Sequence, residues 1–182
     1  MSNKLLIVVD MQNDFIDGAL GTPEAQAIIP NVVKKIKSWD GDIICTRDAH
    51  SKRFYFETQE GKHLPIQHCI WGTHGYKINS EVEQALKDFD VEFIDKDQFA
   101  SLRLPLYICS FGCVAYDYVE LIGLCTDICV VANAFYLKAV FPELDIAVDA
   151  SCCAGTTPEN HKAALTVMNT CQIRIIGGSE NV

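Results

Sequence analysis

A cysteine in the first turn of a helix is a candidate nucleophile, and the pattern around Cys129 predicts that position for it. The segment Gly123-Leu124-Cys125-Thr126-Asp127 runs up to it, with Thr126 and Asp127 as capping-type residues before a long apolar stretch. A thiol there feels the positive end of the helix macrodipole, which favours thiolate. The N–H groups of the preceding segment are the kind of donors an oxyanion requires. A cysteine taken alone is more often a small buried hydrophobe, so partners are needed. Asp10, directly after Leu5–Val9, is one candidate: a base that takes the thiol proton and returns it to a leaving amine. Lys96, in Asp95-Lys96-Asp97, is another: an ammonium that would stabilise thiolate and hold Asp10 ionised. Separately, Asp10 reads equally well as a turn residue, and Lys96 as a solvated surface lysine.

The elements around these residues bring them together. Leu5–Val9 is a continuous apolar, largely β-branched run, as expected of a strand buried on both faces. Asp42–Thr46, Val91–Ile94, Tyr118–Leu124, Leu144–Val148 and Ile173–Ile176 read as five further strands. Helical spacing is predicted over Pro30–Trp39 and over Ser80–Phe89, the latter behind an Asn79/Ser80 start signal. Thr126–Val140 and Pro158–Asn169 complete the helices, with Thr157 as N-cap of the last. Strands alternating with helices predict parallel βαβ units, and so an α/β three-layer sandwich in one domain spanning 1–182. In such sheets the site lies beyond the carboxyl ends of the strands, where Asp10, Asp48, His50, Lys96 and Cys129 all fall. Arg47–Ile78 has little periodicity, and connections of that length inside a compact domain are usually functional.

Composition excludes several classes. The formal net charge of −9, with no basic run, argues against nucleic acid, whose phosphates are held mainly by Lys and Arg. No apolar run approaches the ~20 residues needed to cross a bilayer, so no membrane partner is expected. Met1-Ser2-Asn3-Lys4 with Leu5–Val9 is too short, and too soon acidic, for a signal peptide. Nine cysteines is an odd number, which points to free thiols in a reducing compartment and hence to the cytoplasm.

Taken in order, the blocks resemble a known family. Val9-Asp10-Met11-Gln12-Asn13-Asp14-Phe15, Asp95-Lys96 and Gly123-Leu124-Cys125-Thr126-Asp127-Ile128-Cys129-Val130 are similar to those of the isochorismatase-like cysteine hydrolases. Thr46-Arg47-Asp48-Ala49-His50, the His68–Gly75 run, Asp149-Ala150 and Thr157-Pro158-Glu159-Asn160-His161 extend the likeness nearly end to end. The resemblance implies a six-stranded parallel sheet flanked by helices and the triad Asp10, Lys96 and Cys129. It also implies a cis Leu124–Cys125 peptide and an oxyanion hole from the N–H groups of Cys125 and Cys129. The branch that hydrolyses nicotinamide carries a divalent metal, which would fall here to Asp48, His50 and His68. Zn²⁺ comes first for oxygen and imidazole ligands, with Mn²⁺ or Fe²⁺ as alternatives. Glu57 is the candidate fourth ligand, with Glu60 and His63 as close rivals; the alternative is a polar loop without metal. Phe15 matches an aromatic of the pyridine site, and Trp71 and Phe99 are further candidates for the substrate walls. The substrate would be a small carboxamide, with a place in NAD metabolism, and related chains imply a homo-oligomer. His74 and His161 are expected to be structural.

The same scaffold could carry an isochorismatase-type or N-carbamoyl amide hydrolysis. Cys129 and the metal-type residues speak against the isochorismatase-type reaction. A non-enzymatic reading would use Cys109, Cys113, Cys125, Cys129 and Cys152-Cys153 for structural zinc or redox sensing. Their spacing is wider than the common zinc knuckle.

Overall fold

The computed structural model describes residues 3–110 and 113–178; Met1 and Ser2, on which the expectation of no signal peptide partly rests, lie outside the described residues. Six strands form one sheet: β1 (Lys4–Val9), β2 (Asp42–Asp48), β3 (Val91–Lys96), β4 (Tyr118–Leu124), β5 (Asp145–Ala154) and β6 (Arg174–Ile176). Their order across the sheet is β3-β2-β1-β4-β5-β6, and every pairing is parallel. The chain therefore builds outward in one direction from β1, then returns and builds in the other. The crevice between the carboxyl ends of β1 and β4 is the switch point where such sheets bind ligands.

β1 shows why the sheet is covered on both sides. All five of its apolar residues are fully buried. Leu6 and Val8 join one core with Val32 and Ile36 of α1 (Ile29–Lys37) and Val82 and Leu86 of α2 (Ser80–Leu86). Leu5, Ile7 and Val9 join the other core with Ala134 and Leu137 of α3 (Val131–Val140) and Leu165 and Met168 of α4 (Pro158–Thr170). Period-two alternation splits one apolar run between two helical layers. The helix starts follow from their caps. The Asn79 side chain accepts from Glu81 N, and the Thr157 hydroxyl accepts from Asn160 N with Pro158 in the first turn.

Three expectations are adjusted. β5 runs on to Ala154, because Cys153 and Ala154 pair with Gly123 and Leu124 after a register shift. The helix expected over Thr126–Val140 opens with a π-helical turn over Thr126–Val130, in which Val130 N donates to the Cys125 carbonyl. Thr126 and Asp127 do not cap it. Thr126 Oγ1 lies 2.8 Å from His161 Nδ1, and Asp127 accepts from the N–H and hydroxyl of Thr156, so both tie the turn to the start of α4. The stretch between β2 and α2 holds a 3-10 turn (Tyr55–Glu57) and a short helix (Gln59–His63) whose N-cap is Thr58.

Gly123 closes the crevice tightly. Its φ is +116°, and a Cβ there would fall on the Val9 carbonyl, so only glycine fits at this point. No helix among the described residues is long and apolar enough to cross a membrane.

Candidate active site

Register sets the geometry before any side chain is considered. Val9 pairs with Thr46 on one side and Gly123 on the other, and Asp48 pairs with Lys96. The ends of β1, β2, β3 and β4 are thus level, and the residues beyond them meet. Asp10 turns out of β1 with a positive φ of 48°, a conformation asparagine and aspartate tolerate better than most residues.

Lys96 is the hub. Its Nζ lies 2.7 Å from Asp10 Oδ2, donates to Cys129 Sγ at 3.4 Å, and lies 3.7 Å from Asp48 Oδ1. Thr46 Oγ1 donates to the other Asp10 oxygen at 2.7 Å. All of these side chains are buried. Burial pushes Asp10 above the ordinary carboxylate value, while Lys96 pulls it back. Burial alone would lower Lys96, but the charges of Asp10, Cys129 and Asp48 outweigh it and hold the ammonium above an ordinary lysine. The Cys129 thiol is pushed well up, first by burial and then by Asp10, with Lys96 opposing. Desolvation therefore opposes the bias toward thiolate expected from the lysine. Desolvation thus favours the protonated thiol and also raises the proton affinity of Asp10 beside it.

The Leu124–Cys125 peptide is cis, as the resemblance implies. Cys125 and Cys129 both line a cavity of about 1200 Å³, together with Phe15 and Phe99. Trp71 does not line it. It is 70% exposed, because the Ile70–Thr73 turn directs it away from the crevice.

At the same cavity Asp48, His50, Glu60 and His68 bring four ligand-type atoms within 4.8 Å of one another. His50 Nε2 lies 2.7 Å from Asp48 Oδ2, and His68 Nε2 lies 3.4 Å from Asp48 and 3.3 Å from Glu60. His68 Nδ1 lies 3.0 Å from the Ile66 carbonyl, which can only accept, so Nδ1 carries a proton and Nε2 is the nitrogen that faces the group. Two imidazoles and two carboxylates form a set that suits a divalent cation such as Zn²⁺, Mn²⁺ or Fe²⁺. Glu57 is not in the set. It lies exposed in the 3-10 turn, whereas Glu60, in the first turn of the next short helix, is directed inward. His63 lines the cavity but is not one of the four.

Two buried amides went unnoticed in the sequence. Gln12 donates to the carbonyls of Asp48 (2.7 Å) and Tyr76 (2.8 Å), and accepts from Asp48 N (2.7 Å). Asn133 bonds Cys129, Phe99 and Ser101. A lone polar residue within an apolar run, as in Val130-Val131-Ala132-Asn133-Ala134-Phe135, is the signal that would have found the second. The described cysteine side chains are all free, and among the described residues the group of metal-type side chains contains none of them. The side chain of Cys113 lies outside the described residues.

A parallel sheet in this order, with these residues at its switch point, defines an α/β protein of the isochorismatase-like fold. The chain belongs to the isochorismatase family: the Isochorismatase domain model matches residues 4–180. It is similar to the nicotinamidase of Saccharomyces cerevisiae, at 29% identity over 122 residues, covering 51% of this chain and 56% of that protein. The match thus spans little more than half of the yeast enzyme. Among solved structures it is similar to the pyrazinamidase/nicotinamidase of Streptococcus mutans, with a TM-score of 0.82 and 28% identity over 96% of this chain and 100% of that one. The pyrazinamidase of Pyrococcus horikoshii in complex with zinc gives a TM-score of 0.76 and 28% identity over 97% and 99% of the two chains.

Proposed function

We propose that this protein is a nicotinamidase-like cysteine amidohydrolase that converts a small carboxamide to its acid and ammonia through a thioester. The observation that carries this reading is the Lys96 ammonium held between Asp10 at 2.7 Å and Cys129 at 3.4 Å. The relatives described above, named as nicotinamidases or pyrazinamidases, support the substrate class.

The chemistry follows from the proton positions. Cys129 enters as a thiol, so attack requires a base, and Asp10, raised by burial, is placed to accept the proton. The sulfur adds to the carboxamide carbon. The N–H groups of Cys125 and Cys129 are the candidate donors to the resulting oxyanion. Asp10 then passes its proton to the departing nitrogen, and ammonia leaves the thioester. Asp10 next deprotonates a water, which adds to the thioester carbon. The Cys129 sulfur leaves with that proton, and the acid departs. Lys96 keeps its charge throughout and stabilises each anionic partner in turn.

Asp48, His50, Glu60 and His68 would hold a divalent metal. When bound, it would supply a Lewis-acidic centre for a heteroatom of the substrate, such as a pyridine nitrogen. Phe15 and Phe99 supply apolar wall to the same cavity and would seat a flat ring.

Replacement of Cys129 by Ala tests the proposal, with ammonia release measured from nicotinamide, pyrazinamide, aliphatic amides and N-carbamoyl compounds. Loss of release with an intact fold is expected. Near-normal release by that variant overturns the reading.

A further inference from the structure

We propose that Asn133 is a positioning residue that sets the Cys129 turn against the wall of the cavity. The inference rests on the amidohydrolase reading and extends it to a residue that does not line the cavity.

Asn133 lies in the first turn of α3 and is fully buried. One side-chain N–H donates to the Cys129 carbonyl at 2.8 Å, and the amide nitrogen also reaches the Phe99 carbonyl at 3.2 Å. Its oxygen accepts from the Ser101 N–H at 2.8 Å. The orientation of the amide is fixed, because reversing it would set oxygen against two carbonyls and nitrogen against an N–H. The π-helical turn before α3 is the local irregularity that such an amide can brace.

The partners explain why the tie reaches the chemistry. Residues 97–103 have no regular structure, yet they follow Lys96 directly and carry Asp97, Gln98 and Phe99 to the cavity. Apart from this amide, Ser101 is joined to its surroundings by its backbone carbonyl, which accepts from Leu104. A single carboxamide therefore ties the backbone just past the ammonium to the backbone carbonyl of the nucleophile. A shift between these two segments would move Lys96 relative to Cys129 and move Phe99 relative to the substrate. Aspartate could keep the Ser101 bond but would face two carbonyls with a carboxylate. Threonine could keep a back-bond to the Cys129 carbonyl four residues earlier, but would lose both bonds to the 99–101 segment.

That separation provides the test. Asn133→Thr and Asn133→Asp are compared with the unaltered chain for kcat and KM of ammonia release, and for the pH profile of iodoacetamide alkylation at Cys129 read by peptide mass. In Asn133→Thr a fall in kcat/KM on the order of ten- to hundred-fold is expected, shared between kcat and KM, because small misplacements cost rate steeply. The alkylation midpoint should also move to higher pH as Lys96 loses its register with the sulfur. Unchanged kcat, KM and alkylation profile in the Thr variant, whatever its melting temperature, would reduce Asn133 to a structural residue. Hydrogen exchange on the unaltered chain gives a check that needs no variant. The Ser101 amide should exchange far more slowly than that of exposed Leu102, and equal rates overturn the tie. If Cys129→Ala keeps its activity, the hydrolase reading fails; if it loses activity while Asn133→Thr does not, only this inference fails.

Discussion

Gln12 holds Asp48 by both of its backbone groups, donating to the carbonyl and accepting from the N–H, each at 2.7 Å. These bonds join the end of β1 to the end of β2, two residues past Asp10 and at the first residue of the metal-type group. Replacing Gln12 by Ala would leave a buried N–H and two carbonyls without partners. A loss of about 2 kcal/mol in urea unfolding is expected. Metal affinity, measured by titration of the chelated protein, should fall by roughly ten-fold or more as Asp48 loosens. Unchanged values for both would mean that the clasp contributes nothing.

Asp10 and Cys129 compete for a proton, which gives a prediction with an unusual sign. Asp10 raises the thiol through its charge, and Lys96 lowers it. In Asp10→Asn the negative charge is gone and the ammonium remains, so the thiolate becomes easier to form. Turnover should drop by about 10²–10⁴-fold for want of the base. Alkylation of Cys129 at neutral pH should nevertheless accelerate, with its midpoint moved to lower pH. A midpoint that stays put or rises would contradict the charge assignment.

Metal content separates Glu60 from Glu57. Glu60→Gln and His50→Ala should lower the divalent metal retained after purification, measured by elemental analysis. Glu57→Gln should retain it in full. Chelator treatment of the unaltered chain should lower its melting temperature, since a cation bound only by the folded state stabilises that state. Equal metal loss in the Glu57 and Glu60 variants would return the fourth ligand to an open question.

A second buried charge cluster lies away from the site and predicts the pH range of stability. Lys35 Nζ lies 2.6 Å from Glu120 and 2.8 Å from Asp149, both carboxylates being nearly inaccessible. Burial alone would raise Asp149, but bonds from Lys35 and Ser151 hold it below the usual carboxylate range. Burial alone would lower Lys35, but the two carboxylates hold it above an ordinary lysine. The contribution of Asp149 is present above its unfolded value of roughly 3.9 and is lost as pH falls through its depressed folded value. That of Lys35 is present below roughly pH 10.4 and is lost as pH rises through its elevated one. Between about pH 5 and 9 the cluster therefore contributes in full. Lys35→Met should cost about 3 kcal/mol at pH 7 by leaving two carboxylates without a cation. As pH falls from 7 toward 5 its unfolding free energy should rise relative to that of the unaltered chain, in which the cluster contributes a constant amount over that range.

Most of the architecture was readable because the strands are apolar and their ends polar. Tyr118–Leu124 is bounded as expected, since aromatic and β-branched residues run directly into Gly123-Leu124 and the turn. The apolar pattern of β5 ends at Val148, where Asp149, Ala150 and Ser151 break it, although pairing with β4 resumes beyond them. The three residues around Lys96 could be found because each follows or faces the end of a strand. The fourth metal-type residue could not. Glu57 and Glu60 differ only in which side of Thr58 they fall, and the turn from 3-10 to helical geometry at that residue decides which one faces in. Trp71 misled for a related reason: an aromatic beside His68 suggests a wall, but the direction of a turn is not written in its composition. Gln12 and Asn133 were missed because backbone carbonyls and N–H groups, their partners, leave no trace in side-chain spacing.

The Asp48–His68 group is supplied by one stretch of chain, whereas Asp10, Lys96 and Cys129 come from three separate strand ends. The Asp10–Lys96–Cys129 cluster is thus positioned by the sheet as a whole. The metal-type group belongs to one segment, from Asp48 at the end of β2 to His68, which Gln12 and Asp14 tie to the end of β1. Exchanging that segment between relatives, with Asp48 and its contact to Lys96 kept, should transplant a preference for one amide over another, read by ammonia release from a panel of amides.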